Sequence, residues 1–407
     1  MGRCQKFLLL SLIIVGFFCF IYPKTMGQLY YLKSIKKIDI HTHIVSDASY
    51  LREVMDELNM KFFTICTRGV NMDVMNFQVN TAKQFCNEYP RYYAWSTTFD
   101  LTQRNEPDWV EQVKGYLKDS FDNGAVAVKV WKEIGMEIKN SKGEFIQIDD
   151  PMFTPIFNYI AQEGKPLFAH IGEPIQAWMP LPIGPGGKPT SYWANNPEWH
   201  FWDKPDKPSY NHIMAARDHI LANYSNLKVI GCHLGSVEFD VDELAKRFDK
   251  YPNFAVDTAA RINYLMGQQR GKVRAFLIKY QDRILYGTDM LSGGMINIDP
   301  EQLIYIAPEQ VEKIKQSLLL KQDIKQEQAK NEIQTLLKKY SLSPEQAERA
   351  KQRLLQRYLD DFVFYSTDDE ISMREYSLQG LALPKNVLQK IFYENAVKWI
   401  PGVNKDF

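Results

Sequence analysis

The sequence of 407 residues has no excess of charge of either sign. Lysine and arginine together number 49, and so do aspartate and glutamate, which gives a formal net charge of zero at pH 7. A protein without a strong net field is a poor candidate for binding nucleic acid or an anionic membrane surface through charge. We therefore expect no nucleic-acid partner.

Cysteine is also scarce, with five residues in the chain. Cys4 and Cys19 belong to an N-terminal leader, which leaves Cys66, Cys86 and Cys232 in the rest of the chain. Three widely spaced cysteines predict neither a disulfide framework nor a zinc ribbon. Cys66 and Cys232 lie in apolar, strand-like runs, where cysteine usually serves as a small buried hydrophobic residue.

The N-terminus has the features of an export signal. Two basic residues precede an apolar run over residues 7–22, which suits a signal segment better than a full bilayer span of about 20 residues. Small residues then offer a cleavage site before Gln28. We assign residues 1–27 to a leader and 28–407 to the exported protein, periplasmic or extracellular. A membrane anchor formed by residues 7–22 is the alternative.

Short apolar runs rich in β-forming residues alternate with helical patterns along the chain. Strands separated by helices pair in parallel, and eight of them over about 250 residues are typical of a closed (β/α)8 TIM barrel rather than an open sheet. The sequence therefore predicts an α/β protein with this barrel as its core. The eight runs are residues 37–44, 62–66, 92–99, 125–131, 166–171, 228–233, 253–258 and 283–288.

Two stretches depart from the regular alternation. Residues 172–210 follow the fifth strand, are rich in proline and contain four tryptophans. Because long loops at this end of a barrel lie over its mouth, we interpret them as a lid over the substrate. Residues 300–360 are rich in lysine, glutamine, glutamate and leucine at helical spacing. They predict a helical insertion after strand 8 that serves packing or assembly of a homo-oligomer.

The clearest chemical signal is the segment IDIHTH at residues 38–43, a strand that carries two histidines two positions apart. Residues i and i+2 lie on the same face of a strand, so His41 and His43 can point together into the barrel and bind one cation. A single pair of this kind also occurs among buried structural histidines. Residues elsewhere in the chain distinguish a metal site from a pair of structural histidines.

Further potential ligands fall at the ends of later strands. His170 ends the fifth run, His233 ends the sixth, and Asp289 follows the eighth. Catalytic groups of such barrels lie at the C-terminal ends of the strands, so these side chains are expected to meet His41 and His43 at the mouth of the barrel. This placement favours a metal site over a purely structural cluster.

With these motifs the chain resembles the amidohydrolase superfamily, and within it the amidohydrolase-related branch of hydrolases, lactonases and decarboxylases. The resemblance depends on the order His-x-His, His, Gly-x-His-x-Gly and Gly-x-Asp, and on the segment YENAV at residues 393–397. It covers nearly all of the chain after the leader. It identifies a scaffold and not a substrate, because this scaffold hosts several reactions.

The resemblance implies that His41, His43, His170 and Asp289 are metal ligands, and that His233 is a further ligand or an acid that polarises the substrate. Imidazole and carboxylate ligands suit Zn²⁺. The metal would activate a water molecule for attack on a carbonyl carbon, and Asp289 would accept its proton. The expected activity is hydrolysis of an ester, lactone or amide bond in a small organic molecule.

Other candidates have two interpretations each. Lys129 lies inside the fourth strand, where the resemblance allows either a carboxylated lysine that bridges two metal ions or a cation that pairs with an acid. One metal ion is expected, and two if Lys129 is carboxylated. Asp257 and Arg261 follow the seventh strand, and Arg261 either binds a substrate carboxylate or forms a salt bridge at the rim. Glu173 either orients His170 or begins the lid.

Two alternative functions are left open by these residues. The same ligands would support non-oxidative decarboxylation of an aromatic or enoic acid, with His233 transferring the proton. From a different class, the chain would be a non-catalytic exported binding protein that keeps the barrel and the lid. Metal content and product analysis separate these functions.

Overall fold

The computed structural model describes residues 23–45, 48–184, 188–292, 343–373 and 376–407. The apolar run predicted to be an export signal, residues 7–22, and residues 300–342 of the predicted helical insertion lie outside these ranges. Within the ranges that are described, no helix is both long and apolar enough to cross a membrane.

Nine parallel strands form one sheet in the order β8-β7-β6-β5-β4-β3-β2-β1-β9. The predicted barrel fold is confirmed. A two-stranded antiparallel hairpin, β10 and β11, is added near the C-terminus and was not predicted. The strands are β1 Lys37–Ile44, β2 Met60–Ile65, β3 Tyr93–Thr97, β4 Ala127–Val130, β5 Leu167–Ala169, β6 Val229–Gly231, β7 Phe254–Asp257, β8 Ile284–Leu285, β9 Met290–Ser292, β10 Glu370–Met373 and β11 Tyr376–Gln379.

Helices cover the outer face of the sheet, and their apolar sides pack against it. Shorter turns lie at Glu133–Met136, Pro151–Phe153, Ile175–Trp178, Pro197–Trp199 and Lys390–Glu394. The α-helices are α1 Pro23–Ser34, α2 Ser49–Leu58, α3 Met72–Glu88, α4 Trp109–Asp122, α5 Thr154–Gln162, α6 Tyr192–Asn195, α7 Tyr210–Asn223, α8 Val241–Lys250, α9 Ile262–Met266, α10 Arg270–Lys279, α11 Pro344–Ser366, α12 Lys385–Gln389 and α13 Asn395–Trp399.

The last strands join the first by backbone hydrogen bonds. Ile40 N donates to Tyr286 O at 3.0 Å, and Asp289 N donates to His41 O at 2.8 Å. The short strand β9 then pairs with the end of β1. A separate strand β9 was not predicted from the sequence. Its pairing with β1 brings Asp289 directly beside the two histidines of β1.

The opposite end of the barrel is closed by the C-terminal segment that carries YENAV. Asn395 is buried and donates from Nδ2 to Gln281 O at 2.6 Å and to Ile284 O at 2.7 Å. Trp399 Nε1 donates to Asp282 O at 2.9 Å. These bonds satisfy carbonyl groups at the start of β8, which explains why an asparagine stands at this point of the segment.

Helix α11 contains the last part of the predicted helical insertion and packs against the barrel. Ser343 and Gln346 form a capping box that fixes its first turn. Tyr358 is buried and donates to Asp39 Oδ2 at 2.7 Å, and Arg357 Nη2 donates to Thr288 O at 2.6 Å. This part of the insertion therefore supports β1 and the residue before Asp289.

The described part of the predicted lid, residues 172–184 and 188–210, lies against the mouth of the barrel. Trp199 is buried and packs edge-on against Trp131, with ring centroids 5.2 Å apart. Trp131 in turn packs against His170 at 6.1 Å. Trp178 Nε1 donates to Pro208 O at 2.9 Å and ties the two ends of the lid together. Trp199 of the lid thus packs on the aromatic ring that contacts His170.

Candidate metal centre

Strand β1 directs two imidazole rings toward one carboxylate. The Nε2 atoms of His41 and His43 lie 3.4 and 3.3 Å from Asp289 Oδ1. On the far side of each ring, His41 Nδ1 contacts Asp257 Oδ2 at 2.7 Å and His43 Nδ1 contacts Ile65 O at 3.1 Å. Carboxylates and carbonyls only accept, so each Nδ1 carries the proton, and in a neutral ring Nε2 keeps its lone pair. The Nε2 atoms of both rings therefore face Asp289.

Asp289 is held in place by its own backbone, which has a left-handed φ of 59°. Burial by itself would raise the pKa of this carboxyl group, but the interactions with His43, His233 and His41 outweigh it and hold that pKa well below its usual range. The carboxylate is therefore ionised. Burial, together with the charge of Lys129, lowers the pKa of His41, so that ring is neutral at pH 7.

His233 reaches the same place through a left-handed turn. His233 and Leu234 have φ values of 61° and 56°, which cost free energy in residues other than glycine. The turn is fixed because His233 N donates to Asp257 Oδ1 at 2.7 Å and His233 Nδ1 donates to Ala259 O at 2.9 Å. The ring of His233 lies 4.7 Å from that of His41. Its Nε2 is again left as the acceptor.

His170 completes the group from the end of β5. Its ring centroid lies 4.3 Å from that of His233. Its Nε2 is buried and has no hydrogen-bond partner among the described atoms. Burial and the neighbouring His233 hold the pKa of His170 well below its usual value, so the ring is neutral. A buried imidazole nitrogen without a hydrogen-bond partner is suited to bind a metal ion.

The donor set fits a divalent cation. One ligand atom each from His41, His233 and Asp289 lie within 4.8 Å of one another. Imidazole nitrogens and an ionised carboxylate oxygen that converge in this way can all bind one cation. Nitrogen and oxygen ligands of these kinds are those that Zn²⁺ and similar ions bind.

Lys129 extends from β4 into the barrel and is fully buried. Its Nζ lies 2.8 Å from Cys232 Sγ, and its charge is close enough to lower the pKa of both His41 and His170. Burial raises the pKa of the Cys232 thiol, which therefore stays protonated. The described partner of Lys129 is thus a neutral thiol beside the histidines.

Two further pairs of charged residues flank the histidines, and each contains a residue that sequence reasoning missed. Glu173 accepts a hydrogen bond from Lys132, and Arg261 faces Glu238 with Nε and Oε2 3.8 Å apart. Lys132 and Glu238 were not among the candidates. Lys132 lies two residues after the end of β4, so a survey of charged residues at strand ends would have found it, whereas Glu238 lies seven residues after β6 and carries no such signal.

The family comparison agrees with this geometry. The family model with the description "Amidohydrolase" matches residues 38–401. The chain belongs to the amidohydrolase family. Members of this family are metal-dependent enzymes, so this amidohydrolase is an enzyme that uses a divalent metal ion.

Several solved structures resemble this amidohydrolase. 2,6-Dihydroxybenzoate decarboxylase from Rhizobium is 13% identical over 80% of this chain and 99% of that one, with a TM-score of 0.40. 4-Oxalomesaconate hydratase from Rhodopseudomonas palustris is 13% identical over 79% and 97%, with a TM-score of 0.37. An amidohydrolase from Pseudomonas aeruginosa is 12% identical over 94% and 99%, with a TM-score of 0.36. No curated protein matches the chain. Similarity this low carries no argument about the activity.

Gly287 offers a test of how tightly the centre is packed. A Cβ atom at this position would lie 2.9 Å from His41 Cβ and 3.4 Å from Ala259 Cβ. We expect Gly287→Ala to lower the free energy of unfolding by about 1–3 kcal/mol and to weaken metal binding, because His41 has to move. Thermal unfolding and metal titration measure the two effects.

The matched control for this substitution is Gly271→Ala in α10. No atom lies within 4 Å of the added Cβ there, so stability should stay the same or rise by about 0.5–1 kcal/mol. Equal stability and metal affinity in the Gly287→Ala and Gly271→Ala variants would show that His41 tolerates the extra methyl group.

Proposed function

We propose that this amidohydrolase is a hydrolase that cleaves an ester, lactone or amide bond in a small organic substrate. One Zn²⁺ ion would be held by His41, His43, His170 and Asp289, with His233 beside them. The observation that carries the proposal is the position of Asp289 Oδ1, which lies 3.4 and 3.3 Å from the Nε2 atoms of His41 and His43. The Nδ1 atoms of the two rings are held by Asp257 Oδ2 and Ile65 O.

The residues of the centre supply complementary roles. A divalent cation bound there would polarise a carbonyl group and lower the pKa of a water molecule. Asp289 is ionised and its side chain is 32% exposed at the mouth, so it can accept a proton there. His233 donates its Nδ1 proton to Ala259 O, which supports a role as ligand rather than as acid.

A single metal ion is the simpler form of the proposal. The amine of Lys129 contacts the Cys232 thiol inside the barrel, and a carboxylated Lys129 would have to leave this contact to bridge two ions. Metal analysis of the purified protein decides the number: one equivalent per chain supports the proposal, and two equivalents together with a carboxylated lysine in the mass spectrum contradict this part of it.

Export of the enzyme is a separate part of the proposal. Helix α1, Pro23–Ser34, runs through the expected cleavage position before Gln28, and its residue Leu32 is buried against the barrel. Cleavage would therefore shorten α1 and leave its packed end in place. N-terminal sequencing of protein isolated from culture supernatant, periplasm and membranes tests it, and an intact N-terminus on protein found only inside the cell argues against export.

The reaction type is tested with two substrate panels in ¹⁸O-labelled water. The metal-loaded enzyme is incubated with esters and lactones, and separately with hydroxybenzoates. Incorporation of one labelled oxygen into a carboxylic acid product supports hydrolysis. Release of carbon dioxide without incorporation shows a decarboxylase. A protein that binds no metal and whose ligand affinity is unchanged in a His41→Ala/His43→Ala double variant would be a binding protein.

A further inference from the structure

One extra residue interrupts the pairing of β1 with β2 just before the metal centre. Asp39 pairs with Phe62 and Thr42 pairs with Thr64, so three steps along β1 match two steps along β2. A β-bulge of this kind bends a strand, redirects its side chains and leaves one residue out of the hydrogen-bond ladder. His41 lies inside the bulge.

The bulge accounts for the direction of the His41 side chain. Ile38 and Ile40 pack in the apolar cluster that residues of β1, β2, β5, β6 and β8 form inside the barrel. Regular alternation would place His41 on the opposite face from Ile40, together with Asp39. Instead, His41 Nε2 lies 3.4 Å from Asp289 Oδ1 at the mouth of the barrel. The extra residue lets two consecutive side chains, those of Ile40 and His41, both face inward.

The carboxylate of Asp39 holds this irregular backbone. Asp39 is fully buried, and its Oδ1 accepts from His41 N at 3.2 Å and from Thr288 N at 3.0 Å. Buried amides that a ladder leaves out need an acceptor of this kind. Because Thr288 directly precedes Asp289, a single oxygen atom fixes the backbone at two candidate ligands.

The second oxygen of Asp39 is held from outside the barrel by α11. Tyr358 Oη donates to Asp39 Oδ2 at 2.7 Å, and Thr288 Oγ1 donates to the same atom at 2.5 Å. Tyr358 is buried, and its ring stacks on Phe62 with the ring centroids 6.2 Å apart. The carboxylate cannot rotate without breaking these bonds. The hydroxyl of Tyr358 therefore fixes the orientation of the oxygen that holds the bulge.

We propose that Tyr358 is a positioning residue of the metal centre, which acts through Asp39 on the β1 bulge. Without its hydroxyl, Asp39 Oδ2 loses one of two donors and the bulge can relax. His41 Nε2 and Asp289 Oδ1 then no longer keep the separation that suits a cation. Helix α11 thus serves the metal centre as well as the packing of the barrel. The inference rests on the proposed function only in that a metal ion binds at these residues.

The test compares Tyr358→Phe with Tyr286→Phe, because the two tyrosines are closely matched. Tyr286 is also buried, and its hydroxyl donates at 2.9 Å to Asp361, an acid of α11 and not of β1. The two rings lie 6.2 Å apart. Each substitution removes one hydroxyl and one hydrogen bond to a buried carboxylate. The melting temperature of the metal-free protein should therefore fall by a similar amount in both variants.

Binding of Co²⁺ separates the two variants. We expect Tyr358→Phe to weaken Co²⁺ binding by about tenfold and to change the visible spectrum of the bound ion, because the ligand geometry changes. Tyr286→Phe should keep the affinity and the spectrum of the wild type. Competition with a chelator gives the affinity, and neither measurement requires turnover.

A second pair of variants tests the same connection without a change in α11. Thr288→Val removes the other hydroxyl that binds Asp39 Oδ2, and Thr288→Ser retains it. We expect Thr288→Val to weaken Co²⁺ binding about as much as Tyr358→Phe does. Thr288→Ser should restore most of the affinity and the spectrum of the wild type.

Three results would overturn the inference. The first is an unchanged Co²⁺ affinity and spectrum in Tyr358→Phe. The second is an equal loss of affinity in Tyr286→Phe, because both losses would then follow from lower stability alone. The third is a Thr288→Ser variant that binds Co²⁺ no better than Thr288→Val. Since Co²⁺ binding is measured without a substrate, an enzyme that hydrolyses no ester or lactone can still show the expected pattern.

Discussion

Replacing Asp289 by asparagine is expected to reduce turnover by about a thousandfold or more and to abolish stoichiometric metal binding. One carboxylate oxygen of Asp289 faces the Nε2 atoms of His41 and His43, and an amide cannot supply the negative charge that a cation needs there. The amide also cannot accept a proton from water as a carboxylate does. Steady-state kinetics on the best substrate of the panel and metal analysis after dialysis measure the two losses.

Asp282→Asn is the matched control, because it changes an acid that lies close to β8 but outside the centre. Asp282 is 53% exposed and pairs with Lys390 at 3.0 Å on the surface. An exposed ion pair of this kind contributes at most about 1 kcal/mol, so metal content and turnover should stay at the wild-type level. Full metal content in the Asp289→Asn variant would remove Asp289 from the ligand set.

The strand order and the position of the histidines could be predicted from the sequence because both follow from local patterns. Period-two alternation in residues 38–43 requires His41 and His43 to share a face, and a parallel barrel brings the ends of its strands to one mouth. These rules do not depend on which side chains are neighbours in space. They therefore located His41, His43, His170, His233 and Asp289 without any knowledge of contacts.

The charged pairs beside the histidines could not be predicted in the same way. Lys132 and Glu173 are 41 positions apart and meet only because β4 and β5 are adjacent in the barrel. Glu238 looks like an ordinary loop glutamate until burial removes its access to water. The left-handed turn at His233 and Leu234 was also invisible in the sequence, because a positive φ is uncommon outside glycine and leucine does not favour it.

Asp257 shows this difference between local pattern and contact most clearly. Its place after the seventh strand made it a weak candidate, yet its side chain holds two histidines at once. Oδ2 accepts from His41 Nδ1 at 2.7 Å, and Oδ1 accepts from His233 N at 2.7 Å and from Ala259 N at 3.1 Å. It thus fixes the ring of one histidine and the backbone of the other.

We expect Asp257→Asn to weaken metal binding by about 10- to 100-fold and to lower turnover by a larger factor, about a thousandfold. The single oxygen of asparagine would stay with the backbone donors of His233 and Ala259, and its NH₂ group would face His41 Nδ1. That nitrogen would then have to accept, which moves the ring proton to Nε2, the atom that faces Asp289. Competition with a chelator gives the metal affinity, and NMR of the imidazole nitrogens gives the tautomer.

Asp249→Asn provides the comparison, because Asp249 is an exposed acid of α8 that accepts from Tyr280 Oη at 2.8 Å far from the ligand atoms. Mild acidification should not reproduce the Asp257→Asn effect. Burial opposes ionisation of Asp257, but its interactions with His41, His233 and Lys129 lower its pKa to about 2, so it stays a carboxylate under mildly acidic conditions. Metal affinity equal to that of Asp249→Asn, with the His41 proton still on Nδ1, would mean that the carboxylate of Asp257 does not set the state of the ring.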